Sequence, residues 1–163
     1  MWGLYSPLEH ALYMIDWENT GIRFEERRKL AWIESDLTLL RVGGRISPNP
    51  ECCLDLPRLD CVAAGLGALY VIEGSTLGGQ VVMRRLQRIL GISPLAGGRF
   101  FASYGDNLGT MWRRYIDSLE HYSSTTDAGI TIERSAIETF GAFDRWLSGF
   151  RSCRVDDARQ SHA

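Results

Sequence analysis

Apolar residues recur along most of this chain at three- and four-residue spacing, and strict alternation occurs nowhere, so the pattern predicts helices and no strands. Ser6-Pro7-Leu8-Glu9 reads as a capping box with proline at the first helical position, opening a helix to about Asp16. If that helix begins upstream, Pro7 kinks it instead. Leu30, Ile33, Leu37 and Leu40 form one stripe on a helix from about Glu25 to Leu40, ended by Gly43-Gly44. The prolines, glycines and cysteines from Val42 to Pro57 make a surface loop. A long helix follows from about Leu59 to Leu90, broken or bent near Gly74 to Gly79 and stopped by Gly91. Asn107 is placed to cap a helix whose stripe is Met111, Trp112, Tyr115, Ile116 and Leu119. A last helix from about Ile130 to Phe150 turns Ile137, Phe140, Phe143, Leu147 and Phe150 inward. The polar residues 151–163 read as a disordered tail, leaving a single all-α domain over residues 1–150.

The segment from Gly67 to Gln80 breaks the usual economy of a helix, because it carries four glycines. Gly74, Gly78 and Gly79 together cost about 3 kcal/mol relative to alanine, at roughly 1 kcal/mol each. Gly74 and Gly78 are one turn apart and bare the backbone along one face. Either a second helix or a flat ligand fits against such a face, and the spacing alone leaves both open.

Length and composition narrow the classes. At 163 residues, 45% hydrophobic and 23% charged, the chain suits one globular domain. A formal net charge of −2 gives no reason to expect nucleic acid, although Arg84, Arg85, Arg88, Arg113 and Arg114 are local basic positions. Cys52, Cys53, Cys61 and Cys153 lack zinc spacing and read as reduced thiols of a cytoplasmic protein. No signal peptide is visible. Val62 to Met83 is apolar enough to raise the question of a membrane span, but Glu73 at its centre costs several kcal/mol in lipid, so a buried helix fits better. Absence of a Ser-His-Asp order, a phosphate loop and a His-Glu metal motif removes support for hydrolases, kinases and zinc enzymes.

Gly67 to Gln80, GALYVIEGSTLGGQ, resembles the distal helix of haem oxygenases, particularly the bacterial branch found with bacteriophytochromes. In that branch a bent glycine-rich helix lies across one face of the haem. Pro7-Leu8-Glu9, Arg28-Lys29-Leu30 through Asp36-Leu37, Phe100 to Gly105, Met111-Trp112-Arg113, Glu138-Thr139-Phe140 and Arg145-Trp146-Leu147 are similar to its successive blocks, in the same order. The resemblance spans about Leu4 to Phe150.

It implies a multi-helix bundle that takes haem as cofactor and substrate. Oxygen and an external electron donor, ferredoxin or another reductase, would open the ring to biliverdin, carbon monoxide and ferrous iron, with a bacteriophytochrome as biliverdin acceptor. By the same resemblance Gly74, Ser75 and Gly78 are the catalytic positions, and Gly74, Gly78, Gly79 and Arg113 bind the cofactor. Glycine lets backbone approach the macrocycle, and Ser75 stands where better-known relatives carry an aspartate that organises distal water. Arg113 matches a basic position that pairs with a haem propionate, with Arg114 a second candidate. Tyr70 and Tyr104 are further candidates for bonds to carboxylates or water. The family's iron-binding histidine lies on a first helix, upstream of the segment that resembles Leu4 to Leu12. His10, His121 and His162 fall outside that motif, so no metal ligand is assigned. The expectation is therefore either an N-terminally shortened enzyme or a non-catalytic haem- or bilin-binding or interaction protein of the same fold.

Overall fold

The computed structural model describes the backbone of residues 1–41 and 51–160 and the side chains of residues 1–40 and 51–149. Its helices are α1 (Trp2–Tyr13), α2 (Leu30–Arg41), α3 (Val62–Leu90), α4 (Arg99–Ala102), α5 (Leu108–Thr125) and α6 (Gly129–Gln160). Short 3₁₀ turns occupy Phe24–Arg27 and Gly105–Asn107, and no strand occurs among the described residues. The all-α expectation holds. α3 is the spine: α4, α5 and α6 pack on it, and α2 joins α1 to α4. Leu4, Leu8 and Leu12 of α1 meet Leu66, Leu69 and Ile72 of α3 and Tyr115 of α5 in one core.

α1 begins at Trp2, so Ser6 caps nothing and Pro7 lies inside the helix. Proline has no N–H for the carbonyl four residues back, which here belongs to Gly3. The Cys53 amide donates to that carbonyl instead, at 2.8 Å. A side chain at Gly3 would collide with the Glu51 carbonyl, so glycine permits the returning segment of the loop to come this close. Val42 to Pro50, the first part of the expected surface loop, lies outside the described residues, and Cys53 in the second part is buried.

Two carboxylates cap helices far away in sequence. Glu9 Oε1 accepts the amides of Lys29 at 2.5 Å and Leu30 at 2.9 Å, fixing the start of α2 five residues later than its apolar stripe suggested. Asp36 of α2 in turn accepts the amides of Arg99 and Phe100, both at 2.8 Å, at the start of α4. Asn107 precedes α5 as expected but makes no side-chain cap. α3 runs unbroken for 29 residues and stops at Gly91, whose left-handed φ of 68° only glycine adopts at little cost.

The last helix departs most from the sequence reading. Phe143 is buried, but Ile137 and Phe140 are 65% and 67% exposed and Leu147 is 43% exposed. α6 turns Ser135, Thr139 and Ala142 inward instead. The reason is close approach: a Cβ at Gly67 would run into the Ile132 carbonyl, and Ser135 Oγ donates to the Ala64 carbonyl at 2.6 Å. Only small side chains fit that crossing. The backbone of α6 continues as helix to Gln160, and residues 161–163 lie outside the described residues.

Candidate functional site

By leaving its large side chains unburied, α6 makes one wall of a groove. Phe140, Phe143, Asp144 and Leu147 face Tyr70, Val71, Gly74, Ser75 and Gly78 of α3 across about 450 Å³. A Cβ at Gly78 would meet nothing within 4 Å, and one at Gly74 would only touch the Trp112 ring at 3.8 Å. Neither glycine is needed to seat a helix. Both present bare backbone to an apolar space, which is the cradle that a flat ligand requires. Gly79 is different: a Cβ there would lie 2.9 Å from the Phe101 carbonyl, so this glycine packs α3 against α4.

Ser75 lines the groove with a hydroxyl whose direction is fixed. It donates to the Ile72 carbonyl at 2.7 Å, and its Oγ is 3.1 Å from Tyr5 Oη. With the serine proton committed to Ile72, Tyr5 is the donor of the second bond. Tyr5 is fully buried, wedged edge-on against Phe100 and Phe143, and burial raises its pKa so that it remains a phenol. Sequence reasoning missed Tyr5. Its only signal was its place beside the Leu4-Leu8-Leu12 stripe, where a hydroxyl must find a partner inside the protein.

Behind the groove the residue before Gly74 anchors α3. Glu73 Oε2 accepts from Arg27 Nη1 at 2.8 Å, while Oε1 accepts from Lys29 Nζ at 2.6 Å and Tyr104 Oη at 2.8 Å. All three charged side chains are almost completely buried. Lys29 also donates to the Arg27 carbonyl at 2.8 Å. Desolvation lowers the Lys29 pKa against the pull of Glu73, and it raises that of Tyr104, with the carboxylate adding to the rise. Tyr104 is thus spent on this network and not on the groove. A carboxylate within an apolar helix was the visible signal; its partners, 31 to 46 residues away, were not.

Of the other sequence candidates, Tyr70 is half-exposed and lines the groove. It also joins the groove to a second cavity of about 610 Å³ between α5 and α6, bordered by Glu120 and Glu133. Arg113 is exposed on α5 and is not among the lining residues, and Arg114 borders a separate small cavity with Arg23 and Asp117. His10 sits on yet another surface depression with Glu9 and Arg28, and His121 is exposed on α5. Among the described residues no cluster of histidine, cysteine and carboxylates is arranged to hold a metal ion. No helix among them is long and apolar enough to cross a membrane.

A helical domain that bares backbone along one side of an apolar groove has room for a flat, mainly apolar ligand. The family model for heme oxygenase matches residues 1–149, and the chain belongs to the haem oxygenase family. Membership implies haem as the ligand, and the open glycine face and apolar opposite wall fit it. The comparisons with curated proteins and with solved structures gave no match.

Proposed function

We propose that this chain binds haem in the α3–α6 groove and serves its oxidative opening to biliverdin, with release of carbon monoxide and ferrous iron. The observation that carries the reading is the unfilled space over Gly78, beside an apolar wall. Bound haem supplies the oxygen-activating chemistry itself. The chain holds and orients it. Gly74 and Gly78 admit the macrocycle to the helix backbone, and Phe140, Phe143 and Leu147 shield the groove from bulk water. Ser75, held by Tyr5 and Ile72, keeps an uncharged oxygen on the distal side that fixes water without supplying a carboxyl proton. The order of motifs, which resembles that of the bacteriophytochrome-associated branch, supports reading the chain as a cytoplasmic member of it with one domain over residues 1–150. Its electron donor is then ferredoxin or another reductase, and a bacteriophytochrome is the acceptor of biliverdin.

A second reading, a haem- or bilin-binding module without ring opening, is favoured by one placement: His10 and His121 both lie away from the groove. Single-turnover assays separate the two. Ferric haem is titrated into the protein, a reductant and oxygen are supplied, and biliverdin and carbon monoxide are measured. Haem binding with neither product establishes the second reading, and no saturable binding of haem or of biliverdin overturns both.

A further inference from the structure

The groove face of α3 does not end at Gly78. Tyr70, Gly74, Gly78, Val81, Arg85 and Arg88 follow one another at three- and four-residue spacing on an unbroken helix, so they share one face. Arg85 lies seven residues beyond Gly78, about 10 Å along the axis, and its side chain leans back toward the groove because helical Cα–Cβ bonds tilt toward the N-terminus. Arg85, Arg88 and the flanking Arg84 are exposed, and none has an ion-pair or hydrogen-bond partner among the described residues. The opposite end has the other sign. Beyond Tyr70, Glu120 and Glu133 border the adjoining cavity.

On the reading of the groove as a haem site, we propose that Arg85, with Arg88 one turn further, anchors the paired carboxylates on one edge of the macrocycle and so sets its direction in the groove. A guanidinium meets a carboxylate through two parallel charge-assisted bonds, so it fixes orientation as well as adding affinity. Glu120 and Glu133 repel the same edge, which disfavours the reversed pose. Arg113 has no comparable position, since it stands outside the lining of the groove. The competing explanation is that arginines in the last turns of α3 merely complement the helix dipole.

Equilibrium titration with ferric haem and with haem dimethyl ester tests this on wild type, Arg85→Glu, Arg85→Lys and Arg113→Ala. Wild type should bind haem more tightly than the ester. Arg85→Glu should lose about tenfold or more in haem affinity and most of that preference, with the unfolding transition unmoved. Arg85→Lys should recover part of the loss, and Arg113→Ala should behave as wild type. Equal affinity of wild type for haem and ester, or wild-type haem affinity in Arg85→Glu, overturns the assignment. Slower reduction by an acidic electron donor at unchanged haem affinity also overturns it, and makes the arginines a docking surface. If wild type binds neither ligand, it is the haem reading that fails.

Discussion

At Gly78 the backbone of α3 faces open space, whereas at Gly79 it meets the Phe101 carbonyl. Neighbouring glycines therefore serve opposite purposes, and substitution separates them. Gly78→Leu places a branched side chain over the groove floor, so haem binding should be lost. Without ligand the protein should hold or gain stability by a few tenths of a kcal/mol or more, because leucine is the better helix former. Gly79→Ala should instead destabilise by about 1–3 kcal/mol through overpacking. Thermal melts of the free proteins and haem titrations check both, and a destabilised Gly78→Leu that still binds haem would sink the groove as a ligand site. Part of this was legible in the sequence, since Gly74 and Gly78 are spaced to share a face and Gly79 is turned about 100° away from Gly78. What stands opposite each face is set by elements distant in the chain.

Helix starts in this protein are held by carboxylates from other helices, and that shapes their response to pH. Burial raises the Glu9 pKa above its ordinary 4.5, although the amides of Lys29 and Leu30 and the charges of Lys29 and Arg28 oppose the rise. Between 4.5 and the raised value the folded state holds the extra proton, so this group's contribution to stability falls as pH rises through that window. Glu9→Gln keeps an acceptor for the two amides and removes the titration. Its stability relative to wild type should improve as pH rises from acid to neutral, measured by melts across the range; a difference that does not change with pH would exclude the effect. Glu73 differs in having two buried cationic partners. Glu73→Gln leaves Arg27 and Lys29 buried without their countercharge, and breaking such a pair costs about 3–5 kcal/mol. Denaturant unfolding should show a loss of that order, while a near-neutral result would mean that water reaches the network.

Taken whole, the molecule carries an apolar face along α3 and α6, where Tyr70, Leu77, Val81, Ile137, Phe140 and Leu147 are all exposed. A face of this kind marks a binding site. The free protein should enhance the fluorescence of an apolar dye such as ANS, and haem should displace the dye in parallel with its own binding; dye fluorescence indifferent to haem would place the apolar surface elsewhere. The sequence by itself determined the all-α class, the stripes of α2 and α5 and the stop at Gly91, because a 3.6-residue period and a glycine stop are local properties of the chain. It also exposed the glycine face of α3 and a resemblance to the haem oxygenase family that the family match bears out. The direction in which α6 faces was beyond it, since Ile137 and Phe140 are as apolar as any core residue. Only the assembled structure decided that, because the close crossing at Ala64 and Gly67 admits Ser135, Thr139 and Ala142 and turns the large side chains toward the groove. The same holds for Glu9, Asp36 and Tyr5: their partners lie 20 to 70 residues away, and a hydrogen bond across that distance exists only after the helices have packed.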